Sequence, residues 1–238
     1  MIAIVMTYYN RQEQLHKTLK SFEQYDPKEF RVVIVDDGSE KDIKLPDTRF
    51  DVVVLKIYNK TWVQCDPAWN IGLYYALLKE PEIVIIQNAE CYHVGDVLSY
   101  AKQVNNKTYI SFGCYSQSED GSDIFSKGAS YGGESAWYNH PVYRPVGYHF
   151  CAALTAENLK CINGFDERLS FGTGYDDDYL LHQIKCLGLK VEITAEPYVI
   201  HQWHKQMMGN DYTDNEALFN ELIKENNYKA EHLLTVDL

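Results

Sequence analysis

The stretch Ile2-Ala3-Ile4-Val5-Met6-Thr7-Tyr8-Tyr9-Asn10 decides the fold. Its first five residues are continuously apolar, the pattern of a strand buried on both faces of a parallel sheet, and it breaks off into polar residues. Asn10 stands where a helix cap is expected, with Glu13 three residues on. Leu15, Leu19 and Phe22 then fall on one helical face, and Pro27 marks the stop. The same unit recurs down the first half. Residues 32–35 form a second apolar strand ending in Asp36-Asp37-Gly38-Ser39, residues 52–57 a third, and residues 83–86 a fourth ending in Gln87-Asn88-Ala89-Glu90. Between them, Asp66-Pro67 reads as the start of a helix that turns Ile71, Tyr75 and Leu78 inward. Val97, Leu98, Ala101 and Val104 mark another helix. Alternating strands and helices imply right-handed crossovers and an α/β fold with a mostly parallel central sheet flanked by helices.

The second half is less periodic. Residues 115–147 are rich in Ser, Gly, Tyr and Asn, and a stretch of that length without a clear element is usually functional or mobile. A short helix is expected over residues 155–161. It is followed by the turn Asn163-Gly164-Phe165-Asp166-Glu167 and the Gly-rich run Phe171-Gly172-Thr173-Gly174-Tyr175, which leads into Asp176-Asp177-Asp178. Leu180, Ile184 and Leu187 give a helix face that Gly188 terminates. Two short strands are expected near Val191 and Val199, ahead of His201-Gln202-Trp203-His204, and an acidic amphipathic helix over residues 214–226. With no repeat and no linker, the expectation is one domain of 238 residues with two lobes, residues 1–104 and 105–238.

Composition narrows the function. The 22 Lys and Arg against 34 Asp and Glu give a net charge of −12, which argues against nucleic acid and against an anionic membrane surface. The six cysteines show no CxxC spacing and read as free thiols. No leader and no apolar run of membrane length is visible in the sequence, so the expected location is cytoplasmic, with no transmembrane segment.

In an open parallel sheet, ligands bind beyond the carboxyl ends of the strands. Three such ends are polar here: Thr7-Tyr8-Tyr9-Asn10, Asp36-Asp37 and Asn88-Ala89-Glu90. No Gly precedes Gly38, which excludes a GxGxxG dinucleotide cradle after the first strand, and no GxxxxGK[ST] occurs. The rim offers carboxylates instead, which accept from ribose hydroxyls or a uracil N–H and hold a divalent cation that bridges to a diphosphate. Glu90 with His201 or His204 suits Mn²⁺ or Mg²⁺. The Asp176–178 run reads either as a charged helix start favoured by the helix dipole or as a ligand site, in which a Gly-rich lead-in lets backbone approach the ligand and one carboxylate serves as general base.

Together these motifs, over most of residues 1–204, resemble a GT-A (Rossmann-like) glycosyltransferase of the inverting family 2 kind, with a C-terminal half similar to the galactosyltransferase type. Thr7-Tyr8-Tyr9-Asn10-Arg11 resembles the family's opening strand and helix, and Val35-Asp36-Asp37-Gly38-Ser39 its uridine-binding strand end. Trp69-Asn70-Ile71-Gly72 resembles an Arg-Asn-x-Gly segment, with Trp69 in place of the Arg. Asn88-Ala89-Glu90 stands at the metal-binding DxD position with one carboxylate instead of two. Gly164-Phe165-Asp166-Glu167 and the run through Asp178 resemble the acceptor-side signature. The resemblance implies transfer of a hexose from a nucleotide sugar, most simply UDP-linked, to a glycan or other hydroxyl acceptor with inversion. Thr7, Tyr9, Asp36, Asp37, Asn70 and Asn88 would hold the donor. Glu90 and His201 would hold the metal, with His204 as the second choice. Asp177 would be the base, and Asp176, Asp178 and Trp137 would bind the acceptor. The segment 115–147, carrying Trp137, Tyr138 and Tyr143, is expected either to close over the donor or to be a loop without a role. Two other readings remain at this point, a sugar nucleotidyltransferase and a non-catalytic nucleotide-sugar or glycan-binding module. The first normally carries a basic Gly-rich loop after strand one, which this chain lacks.

Overall fold

A computed structural model describes residues 1–121, 136–205, 211–225 and 227–233. The first half builds as the apolar runs demand. Strands β1 (Ile2–Tyr8), β2 (Phe30–Asp36), β3 (Val52–Lys56) and β4 (Ile83–Gln87) pair in parallel in the order β3-β2-β1-β4. Helices α1 (Gln12–Phe22) and α2 (Asp66–Leu77) are among the crossovers. Because β1 pairs Thr7 with Val35 and Tyr8 with Asp36, the polar strand ends align along one edge.

The second half extends the same sheet, mostly by antiparallel pairing. The added strands are β5 (Cys91–Val94), β6 (Thr108–Ser116), β7 (Trp137–Asn139), β8 (Cys151–Thr155) and β9 (Lys190–His201). They continue the order as β4-β8-β6-β9-β5, with β7 on β6. β4–β8, β6–β8, β6–β7 and β5–β9 are antiparallel, while β6–β9 is parallel. The two strands expected near Val191 and Val199 are therefore one element, β9, kept continuous by a register shift opposite Phe112 and Gly113 of β6. The remaining helices are α3 (Val97–Ala101), α4 (Ala156–Ile162), α5 (Asp176–Cys186) and α6 (Thr213–Leu222). No helix is long and apolar enough to cross a membrane, among the described residues.

Two layers of core cover the sheet. Met6, Leu15, Leu19, Phe22, Phe30 and Phe112 pack on one face, and Trp69, Leu73, Tyr109, Phe165, Leu180 and Ile184 on the other. The six cysteines are free, and three of them are buried in this interior. Three local expectations are corrected. Asn10 does not cap α1: its backbone is left-handed at φ 51, its side-chain oxygen accepts from the Glu40 N–H, and Arg11 holds the cap position. In α2, Ile71 is buried but Tyr75 is only half-buried and Leu78 is 57% exposed, because Trp69, Leu73 and Ala76 form the inward stripe. The Gly-rich run leaves room for α6, not for a ligand. A Cβ on Gly172 would sit 2.2 Å from Asn215 Oδ1, and one on Gly174, where φ is +76, 2.7 Å from the Tyr212 ring. Asn215 Nδ2 also donates to the carbonyls of Leu169 and Gly174, so α6 pins the loop that launches α5.

Candidate active site

The parallel edge assembles the first cluster. Thr7 Oγ1 lies 3.7 Å from Cys65 Sγ at the start of α2. Asp36 Oδ1 accepts from the Ser39 N–H at 2.8 Å, and its other oxygen has Lys56 Nζ at 3.9 Å. Asp37 accepts from Trp62 Nε1 at 2.9 Å and pairs with Lys60 at 2.5 Å. Burial pushes the Asp37 carboxyl up, against the pull of Lys60 and Trp62. Lys60 also sits over the ring of Tyr9, 5.5 Å from its centre. Asn88 is half-buried at the end of β4, where its N–H donates to the Phe150 carbonyl. Asn70 is placed differently from the other donor candidates. Both its amide N–H groups are committed, to the Phe165 carbonyl and to Glu167, and its oxygen accepts from the Phe165 N–H. It clamps α2 to the turn that precedes α5.

The metal candidates converge. Antiparallel pairing of β5 with β9 sets Cys91 opposite His201, so Glu90 meets the residues that follow β9. Gln202 fixes this junction, donating from its backbone and its side chain to the Glu90 carbonyl at 3.1 and 2.9 Å. Glu90 Oε1 then faces His201 Nε2 at 3.3 Å and His204 Nε2 at 3.5 Å, and Arg11 Nη1 contacts the same oxygen. One ligand atom from each of Glu90, His201 and His204 lies within 4.8 Å of the others. Burial alone would raise the Glu90 carboxyl, but Arg11 and the two imidazoles outweigh it and hold it well below the ordinary range. Burial lowers His201, which favours the neutral form that ligates. One carboxylate and two imidazoles fit a Mn²⁺-type cation, and both histidines weighed from the sequence belong to the set.

The acidic run forms the second cluster. Tyr175 is left-handed at φ 67 and starts α5, so Asp176, Asp177 and Asp178 occupy its first turn, where the helix dipole favours negative charge. Their side chains diverge. Asp178 accepts from Tyr148 at 2.7 Å. Asp177 Oδ1 lies 2.7 Å from Nδ1 of buried His149, in ion-pair contact without good hydrogen-bond alignment. Burial would lower His149, but the charges of Asp177 and Asp176 raise it above its ordinary value. Burial and the charge of Asp177 push Asp176 up to about 6. Its neighbour Asp66 is fully buried, with one oxygen taken by Ser170 and the other without a partner. Burial and the Asp176 charge push the Asp66 carboxyl well above the ordinary range.

Sequence reasoning missed Tyr148 and His149, which lie in an irregular stretch with no motif around them. It also placed Trp137 too far out. That ring is buried and packs against Tyr115, His140 and Tyr198, so it belongs to the core and not to an acceptor platform. Tyr138 of that segment reaches the site, edge-on to His201 at 5.1 Å. Part of the expected covering segment, residues 122–135, lies outside the described residues.

Residues 3–100 match the family model for glycosyl transferase family 2. This is the GT-A glycosyltransferase fold. Among solved structures, the GT-A chain here resembles S. aureus TarS 1–349 in complex with UDP at 14% identity and a TM-score of 0.66, over 94% of this chain and 64% of that one. It resembles the mannosyltransferase PcManGT of Pyrobaculum calidifontis, in complex with GDP-Man and Mn²⁺, at 15% identity and 0.57, over 84% and 56%. It also resembles the catalytic domain of Drosophila β1,4-galactosyltransferase 7, complexed with xylobiose, at 14% and 0.56, over 96% and 81%. At these identities the likeness is one of fold, and the chain spans less than two thirds of the TarS and mannosyltransferase chains. No curated protein sequence matches the chain significantly. The family 2 match is confined to residues 3–100, and the solved structures extend the likeness of fold over the rest of the chain.

Proposed function

We propose that this chain transfers a hexose from a UDP-linked donor to an acceptor hydroxyl with inversion at the anomeric carbon, assisted by a divalent cation. One observation carries the reading. Three consecutive residues tie both clusters together: Tyr148 donates to Asp178, His149 pairs with Asp177, and the Phe150 ring lies edge-on to His201 with centres 5.7 Å apart. The metal candidates and the acidic run are therefore linked through one three-residue stretch, which supports the nearness that a displacement reaction requires of a leaving-group site and a base.

Thr7, Tyr9, Asp36, Asp37 and Asn88 line the parallel edge where the nucleoside would lie, and the UDP complex of TarS supports that choice of donor. Glu90, His201 and His204 would hold the cation, in keeping with the Mn²⁺ in the mannosyltransferase complex. When bound, it would supply Lewis-acid neutralisation of charge growing on the departing diphosphate. On the other side, an alcohol needs its proton taken as attack develops. The resemblance gives that task to Asp177. Asp176 is the second assignment, favoured by its half-buried carboxyl at about 6, which is basic enough to take a proton near neutral pH, whereas Asp177 is occupied by His149. Asn70 supports both assignments from behind, through the turn it clamps. The test is UDP release from UDP-sugars with Mn²⁺ and a sugar acceptor, with the product anomer read by NMR. A product of the donor's own anomeric configuration would sink the inverting mechanism, and no release from any UDP-sugar would sink the donor assignment.

A further inference from the structure

Arg11 lies in the loop between β1 and α1, and its guanidinium reaches across to Glu90. The oxygen it contacts is Glu90 Oε1, the one that faces His201 at 3.3 Å and His204 at 3.5 Å. A guanidinium stays protonated at every pH a folded protein meets. The protein has therefore already neutralised the carboxylate of this cluster with a cation of its own. A divalent ion arriving alone meets roughly zero net charge and a fixed positive neighbour.

Arg11 is the part of the pair that solvent reaches. Its side chain is 21% exposed, and α1 starts without a side-chain cap to fix the loop. Glu90, in contrast, is 7% exposed on its side chain and anchored through Gln202. The more accessible member of the pair is the arginine. A guanidinium released from a carboxylate pairs best with another planar or tetrahedral oxyanion, and a diphosphate offers several such oxygens.

Building on the donor site assigned above, we propose that Arg11 is a diphosphate-binding residue that guards Glu90. A nucleoside diphosphate draws the guanidinium off the carboxylate, and the three ligands then become free for a divalent cation. Donor and metal bind as a coupled pair, each raising the other's affinity by the same factor, as linkage requires. No bond is made or broken in this exchange. One ion pair is traded for two.

The test is Mn²⁺ binding, followed by the magnetic resonance signal of the free ion, with and without saturating UDP, in wild type, Arg11→Gln and Arg11→Lys. In wild type, UDP should tighten Mn²⁺ binding by at least about tenfold. Arg11→Gln should bind Mn²⁺ alone about tenfold more tightly than wild type, because Glu90 has lost its internal counter-ion, and should bind UDP alone about tenfold more weakly. The gain in Mn²⁺ affinity on adding UDP should shrink by a similar factor. Arg11→Lys keeps the charge but not the fork, so it should fall between the two. Unfolding midpoints without ligand verify that each variant is folded, and Arg11→Lys carries the comparison if Arg11→Gln is not. A folded Arg11→Gln with unchanged or weaker Mn²⁺ binding, or with the same coupling as wild type within about twofold, would overturn the guarding role while leaving the donor site in place. Wild-type protein that binds neither UDP nor Mn²⁺ would overturn the donor site and this inference together.

Discussion

Two charged clusters, linked through Tyr148, His149 and Phe150, differ in charge balance. Around Glu90, one carboxylate is surrounded by a guanidinium and two imidazoles. Around Asp177, three consecutive carboxylates share one imidazole and one phenol. The first cluster has a surplus of cationic or cation-binding groups and suits a diphosphate leaving group. The second has a surplus of oxygen acceptors and suits the proton of an alcohol. The two are also built differently. The Glu90 cluster is held by strand register, since β5 and β9 bring Glu90 and His201 together by pairing. The acidic cluster is held by clamps, Asn70 from α2 and Asn215 from α6, on a loop that belongs to no strand. A register-built site tolerates the loss of a side chain better than a clamped one, and this contrast is open to experiment.

The largest effect should come from the base. One of Asp176→Asn and Asp177→Asn should lower kcat by about 10²–10⁴ while leaving UDP affinity within about twofold. Loss confined to Asp176→Asn fits its carboxyl at about 6. Loss confined to Asp177→Asn fits the resemblance. Full activity in both variants would remove the run from catalysis. Next in size is Glu90→Ala, which removes the carboxylate ligand and should cost several kcal/mol of charge stabilisation, at least about 10²-fold in metal-stimulated turnover. Full activity in excess chelator would break the charge contrast at its first cluster.

A smaller effect tests the clamp. Asn70→Ala leaves the Phe165 N–H and Glu167 without their buried partner and should cost about 2–4 kcal/mol in denaturant unfolding. Mn²⁺ affinity should hold while transfer rate falls. If both fall together, the two clusters are not separately supported. The smallest effect is the pH response of the His149–Asp177 pair. The folded value of His149 is raised above its ordinary 6.5, with burial opposing and Asp177 prevailing. Its contribution to stability is therefore fully present below about pH 6.5 and lost as pH rises through the raised value. Unfolding midpoints of His149→Asn followed across that range should show a flatter pH dependence than wild type, and an equal slope would remove the pair as a source of stability.

The first half of the fold was legible because β1, β2 and β4 are buried almost throughout and write themselves as apolar runs, while their polar ends fall at a predictable edge. The strand-end candidates, from Thr7 to Glu90, could be placed on that edge for the same reason. The second half was less legible. All nine residues of β6 are buried, yet they include Thr, Ser, Gly, Cys and Tyr, so neither apolar continuity nor alternation announces a strand. Trp137 looked like an exposed platform because a sequence rich in Gly and Ser around it does not reveal the sheet it packs on.

By itself, the sequence determined the parallel core, the polar rim, the acidic run and the pairing of a strand-end carboxylate with a late histidine, because each depends on local pattern or on chemistry that a residue type carries wherever it lies. Only the tertiary structure decided the rest. It brought Arg11 onto Glu90 across 79 positions of chain and made His204 a partner of His201. It also placed His149 on Asp177 and turned the Gly-rich run toward α6. Such contacts join residues far apart in the chain, and what fixes them is strand register and packing, which no local pattern encodes.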